Sequence, residues 1–342
     1  GRVTLDSPAG SVRVAGRVAA NASAGRAGVV TVNAATTATL ASTGQLSAVG
    51  GQGGGTVSIQ GSSGVTLEGG SLVEVTGATG GSVTVEADQG AVMAQGTIDA
   101  SASDGTGGTV HVAALSDITF DVGSQLLTGG TAGGTIKIES REGTLLASGL
   151  FNGQGRDGPG GVVWLLAPRV GLIRESVINV SGMTGGGTVL VGGDYQGKNP
   201  DIQNASQTYV GANATINADA IQSGDGGKVV LWSNDYTGFY GTISARGGAQ
   251  SGNGGFVETS SKNNLQSFGI VGASAPYGAA GQWLLDPNNI TIQTGVAGAD
   301  TNATGSPNFT TTNDNAIVTT GSIVAALNAG TSVTVTTASA GT

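Results

Sequence analysis

The chain has 342 residues, 64 of them glycine, with no cysteine, 10% charged residues and a formal net charge of -9. So much glycine without a G-X-Y period or high proline excludes collagen, and sustained apolar alternation argues against disorder. The acidic balance, with scattered Lys and Arg and no basic stripe, argues against nucleic acid and anionic membranes as partners.

No apolar run approaches the roughly 18 residues of a membrane span, so membrane insertion is not expected. No signal peptide opens the sequence, which reads as a soluble interior piece of something longer. The lack of cysteine is compatible with the cytosol. It equally suits a chain that crosses an oxidising periplasm unfolded.

Residues 1–26 already alternate, as in RVTL and SVRVAGRV, so the sequence is expected to begin inside a repeat array rather than at a cap. A Gly-Gly step followed by a short alternating strand then recurs. It reads GGTVSI at 54–59, GGSVTV at 80–85, GGTVHV at 107–112, GGTIKI at 133–138, GGVVWL at 160–165, GGTVLV at 186–191, GGKVVL at 226–231 and GGFVET at 254–259. From Gly55 to Gly187 the second glycine of the pair returns every 26 or 27 residues. A period this regular marks a stacked repeat, because one such unit cannot bury a core alone.

Alternation assigns the faces. Val57 and Ile59, Val83 and Val85, Val110 and Val112, Ile136 and Ile138 point one way, and Thr56 and Ser58, Ser82 and Thr84, Thr109 and His111, Thr135 and Lys137 the other. A lone turn loses roughly 1 to 2 kcal/mol of backbone entropy per residue, while each buried aliphatic side chain returns about 1.5 to 3 kcal/mol. Turns must therefore stack. Two further short strands fit in each period, such as AVMA at 91–94 and TIDASA at 97–102, or TLLA at 144–147 and the LFNG segment from 150. Three strands and three tight corners per turn predict an all-β parallel β-helix, with glycine at corners needing positive φ or close backbone approach. Some twelve turns at about 4.8 Å would make a rod of roughly 55 to 60 Å.

Midway the outward face becomes apolar: Val162, Trp164 and Leu166, then Leu190, then Val230 and Trp232. The interval between Gly187 and Gly227 is longer than the others, and residues 192–213 hold the surplus, with Tyr195, Tyr209 and Pro200. Two readings stand: the excursion folds back over the 162–166/190/230–232 ridge, or ridge and loop form a contact site. On the second, the candidate interaction residues are Trp164, Leu190, Val230, Trp232, Tyr195 and Tyr209.

The stretches GGGTVLVGGDYQGKNPDIQNASQTYVGANATINADA, GDGGKVVLWSNDYTGFYGTISARGGAQSGNGGFVETSSKNNL and GQWLLDPNNITI resemble the shaft of large exoproteins of the filamentous haemagglutinin family. These are two-partner-secretion proteins of Gram-negative bacteria, related to the high-molecular-weight adhesins. The specific motifs cover 185–342; residues 1–184 match in period and composition. The resemblance implies a right-handed β-helix, export by the Sec route and then through an outer-membrane β-barrel transporter, and a secreted or cell-surface location. The family's Asn-Pro-Asn secretion-domain motifs do not occur, so this segment is not expected to direct its own export. Contact-dependent inhibition and haem-acquisition proteins resemble the same shaft.

After Pro287 the rhythm weakens, giving a shaft over 1–287 and an irregular continuation over 288–342. Residues 301–314 read as a loop, 322–329 as a short helix closed by Gly330, and SVTVTTA at 332–338 as resumed alternation.

Little here points to chemistry. His111 is the only histidine and sits outward, so it reads as a solvated side chain rather than a base. Polysaccharide lyases and hydrolases share the β-helix, yet Asp99, Asp121, Asp157 and Asp225 are scattered, and glycoside hydrolysis needs two facing carboxylates. Asp-Gly corners at Asp104, Asp157 and Asp225 are explained by turn chemistry without calcium. Sequons occur at Asn21, Asn179, Asn204, Asn213, Asn289, Asn302 and Asn308; of these Asn204, Asn213, Asn302 and Asn308 are the candidate glycosylation sites. The expected function is a non-catalytic shaft with no cofactor and no metal. The alternative is a module binding a host receptor, glycan or sister rod.

Overall fold

The computed structural model describes residues 1–296, 309 and 315–337. They form a parallel β-solenoid of about 11 turns with three faces, against the roughly twelve turns expected. The first and second sheets have 12 strands each and the third has 10, with a small two-stranded sheet of Gly50–Gly53 and Gly77–Thr79 at one corner.

Each Gly-Gly step leads into a strand of the first sheet, as in Thr56–Gly61, Ser82–Ala87, Thr109–Ala114 and Thr135–Ser140. These strands pair in register, Val57 on Val83, Val83 on Val110 and Val110 on Ile136, so like stacks on like. The second sheet receives Ala91–Ala94 and Thr144–Ala147, and the third Thr97–Asp99 and Leu150–Asn152, which are the short strands expected between Gly-Gly steps. One continuous core results. Ile136 and Ile138 of the first sheet, Leu145 of the second and Phe151 of the third are fully buried in it, and Phe120 meets Phe151 edge-on at 5.3 Å.

The Gly-Gly corner is glycine because of close approach, not torsion. None of Gly55, Gly81, Gly108, Gly134 and Gly161 has positive φ. A Cβ on each would overlap the carbonyl oxygen of the matching glycine one turn earlier: Gly28, Gly55, Gly81, Gly108 and Gly134 respectively. The same N–H closes every corner, as in Gly55 N to the Ala48 carbonyl at 2.8 Å and Gly134 N to the Thr128 carbonyl at 2.7 Å.

The late turns depart from the aliphatic pattern. Thr208 and Thr237 occupy inward positions of the second sheet and Thr259 of the first, all fully buried. Their hydroxyls are satisfied: Thr208 Oγ1 donates to the Trp232 carbonyl at 2.8 Å, Thr237 Oγ1 to the Ser260 carbonyl at 2.8 Å, and Trp283 Nε1 donates to Thr259 Oγ1 at 2.9 Å.

At the far end the strand order stops following the sequence. Ile317–Thr319 pairs with Asn264–Ser267 and separates it from Thr291–Gln293, which lies outermost. The helix Thr320–Asn328 packs on the third-sheet strand Ile270–Gly272, and Gly330 at φ 82 ends it. Thr319 caps its start, accepting the Ser322 N–H at 3.1 Å. Ser332–Val335 then rejoins the first sheet on Gln282–Leu285. Outside the second sheet, Tyr209, Tyr240, Phe268 and Ile317 form a buried cluster with Ile173 and Phe309. Apart from Phe309, the 301–314 segment read as a loop lies outside the described residues.

Candidate functional site: a strap over the first sheet

Register turns the outward residues of the first sheet into columns. One column runs Thr31, Ser58, Thr84, His111, Lys137, Trp164, Leu190, Val230, Glu258 and Leu284. Counting Thr4, which pairs with Thr31, it is polar for six turns and then apolar for three. An acid then stands where an aliphatic residue would continue it.

The apolar stretch is inside the protein. Leu166, Leu190, Val230 and Trp232 are each buried to within 2% exposure, with Trp164 and Phe256 half-buried beside them. The excursion lies against this face, with Gly193 and Gly197 on the Trp232 ring and Tyr195 on Phe256; it leaves the strand Thr188–Val191 at Gly192 and returns at Ser206 to the strand Gln207–Val210. We call residues 192–206 the strap. Tyr209 is not on it: it lies in the second-sheet strand, buried against Tyr240 with ring centroids 5.7 Å apart. Tyr195 does lie on the strap, 43% exposed, with its ring edge on Phe256.

The strap is pinned along its length. Asp194 accepts the Tyr195 N–H at 2.7 Å, Asn199 Nδ2 at 2.9 Å and Lys228 Nζ at 2.6 Å. Burial alone would raise the Asp194 carboxyl, but the donors Asn199, Lys228 and Tyr195 outweigh it and hold the group below its ordinary value. Gly197, at φ 62, lies flat on the Trp232 indole, where a Cβ would overlap Nε1. Asn204 Nδ2 donates to the Gly197 carbonyl at 2.8 Å. Gly197→Ala is therefore expected to lift the strap tip. Faster hydrogen exchange at Tyr195–Gly197, with the remote core strand Thr109–Ala114 unchanged, is the check.

At the tip Gln196 adopts φ 53, unusual for a residue other than glycine, and is buried. Its N–H faces both oxygens of Glu258 at 3.3 and 3.2 Å, its Nε2 donates to Asp286 Oδ2 at 2.6 Å, and its Oε1 accepts Lys198 Nζ at 2.9 Å. Glu258 and Asp286 are fully buried, and Asp286 Oδ1 has no hydrogen-bond partner among the described residues. Burial pushes Glu258 up to about 7; the Gln196 N–H, Ser260 and Lys228 oppose the shift, and the Asp286 charge adds to it.

Sequence reading missed this trio. The legible signal was Glu258 itself, an acid in an apolar column. These two carboxyls face Gln196 beneath the strap, not a groove that could hold a sugar chain.

The other candidates are dispersed. His111 Nε2 lies 3.1 Å from Glu139 Oε2, Lys137 Nζ 3.0 Å from the same atom, and Lys137 also sits over the Trp164 ring. Asp225 Oδ1 accepts the Asn253 N–H at 2.7 Å and Asp104 Oδ2 the Ser103 hydroxyl at 2.8 Å, as corner residues do. Among the described residues no group of three or more acidic, His or Cys side chains could hold a metal ion. Asn213 is exposed, whereas the Asn204 amide is engaged; Asn302 and Asn308 lie outside the described residues.

No protein-family model and no curated protein sequence matches the chain. Among solved structures, the HMW1 secretion domain from Haemophilus influenzae matches with a TM-score of 0.57 and 21% identity, over 78% of each chain. The two chains share a fold. That fold is the β-solenoid which the Gly-Gly period predicts. No helix among the described residues is long and apolar enough to cross a membrane.

Proposed function

We propose that this chain is a non-catalytic shaft segment of a large secreted exoprotein, an adhesin or filament at a Gram-negative cell surface, exported through an outer-membrane β-barrel transporter. The observation that carries the reading is the construction of the rod: near-identical turns on one continuous core, joined by a repeated glycine contact. Such a design sets length by turn count and leaves activity to other parts of a longer chain. The fold shared with a secretion domain and the motif resemblance over 185–342 support export by two-partner secretion.

The test is excision of residues 55–133 from the parent gene, which removes three whole repeats and rebuilds the Gly-Gly step from Gly54 and Gly134. Cells displaying the shortened protein, with surface amount equalised by antibody, are expected to adhere as before. Lost adhesion at equal display would place a binding face in those turns.

The binding-module reading draws on one observation, the exposed Tyr195 at the strap tip. On that reading Tyr195→Ser abolishes attachment to host cells, glycan or a sister rod; on the shaft reading it leaves attachment unchanged.

A further inference from the structure

Glu258 lies in the first-sheet strand Phe256–Thr259 and Asp286 directly follows the next turn's strand Gln282–Leu285, both fully buried. No cation bonds either carboxyl among the described residues: Lys228 Nζ is engaged by Asp194, and Lys198 Nζ by the Gln196 side chain. Ser260 bonds to Glu258 and its Oγ also accepts the Asp286 N–H at 3.1 Å. The titratable groups around Glu258 are thus Asp286 from the next turn, Lys228 from the preceding one, and Asp194 and Lys198 from the strap. Two buried carboxyls without a bonded cation repel strongly once both are ionised, and water is excluded from compensating them. Gln196, at φ 53, bonds to both carboxyls, its N–H to Glu258 and its Nε2 to Asp286.

We propose that Gln196, Glu258 and Asp286 form a proton-dependent latch, which holds the strap on the rod while Glu258 carries a proton and loosens it when Glu258 ionises. Its release uncovers the strip of Leu190, Val230 and Trp232, so the same rod carries a closed and an open outer face.

The direction follows from the groups involved. Glu258 in the closed form titrates near 7, above the 4.5 of a free glutamate, so the closed form holds more protons between those values. Glu258's contribution to closure is fully present below about 4.5, is lost progressively as pH rises from there, and is gone once pH has passed through about 7. Asp194 shifts the opposite way; its contribution is complete above its ordinary value of 3.8 and stays constant across this window.

The chain has no cysteine, which gives a clean reporter. In the full chain carrying Val230→Cys, thiol labelling is measured between pH 5.5 and 8.5 and divided by the rate for free cysteine at each pH. The normalised rate is expected to climb by at most about tenfold per unit from pH 5.5 to about 7 and to level off above it. Adding Glu258→Gln, which keeps the shape and removes the titration, is expected to flatten the profile at its low value. Adding Gln196→Ala is expected to raise labelling at every pH. Leu190→Cys, in the same strip, is a second reporter with the same expected profile. A flat profile in both reporters overturns the latch, as does a climb that survives Glu258→Gln, or one accompanied by loss of the far-UV β signal.

Discussion

Replacing Gly134 by valine is expected to break the rod at one turn. Gly134 does not need a left-handed backbone; it needs the absence of a side chain, because a Cβ there would overlap the carbonyl oxygen of Gly108 and the backbone of Gly107. That oxygen also accepts the Thr135 N–H at 2.9 Å, so neither partner can retreat without opening the ladder. Forced overpacking costs about 1 to 3 kcal/mol even where side chains can yield, and here the obstruction is backbone. Stability in a stacked repeat is a sum of units and nearest-neighbour interfaces, so the loss should appear as an earlier or split urea transition. Gly272→Ala is the control, since a Cβ there meets nothing within 4 Å. It should stay within about 0.5 kcal/mol of the parent chain. Equal stability of the two variants would contradict the stacking account.

Trp232→Ala is expected to have the next largest effect. Truncating a buried tryptophan typically costs about 3 to 5 kcal/mol, and this one is also the floor on which Gly197 rests. Two features bound the expected value. The indole Nε1 has no partner among the described residues, so no hydrogen bond is lost with it, and the strap gives the site a way to collapse. The damage should therefore be regional. Amides of Tyr195, Gln196 and Gly197 are expected to lose protection, while those of Val57, Val83 and Val110 keep theirs. A uniform loss along the chain would mean that the strap is not a separate unit. Unchanged protection at the strap would mean that the indole does not hold it.

Much of the fold was legible because the solenoid is built from local repetition. Val83 and Val85 declare the inner face by alternation alone, and Gly55, Gly81, Gly108 and Gly134 declare the turn by spacing. The glycine contact repeats the same atoms at each step, so one sequence pattern reports one geometry. The helix was legible from 322–329 and is found at Thr320–Asn328.

What was not legible depends on distance along the chain. Gln196 meets Glu258 and Asp286, which are 62 and 90 residues away, through an insertion whose path no period constrains. Tyr209 read as part of that insertion because nothing in the sequence marks Ser206 as its end. Thr208, Thr237 and Thr259 read poorly as core, since their burial depends on hydrogen bonds from other turns. The insertion of Ile317–Thr319 ahead of Thr291–Gln293 is a matter of strand order, which alternation does not encode.

Rod length is set by whole turns, each independent of all but its neighbours. Small-angle X-ray scattering on the chain with and without residues 55–133 tests it most directly. The maximum dimension is expected to shorten by about 14 Å, three strand spacings, with the cross-section unchanged. An unchanged length, or a thickened or unfolded particle, would contradict it.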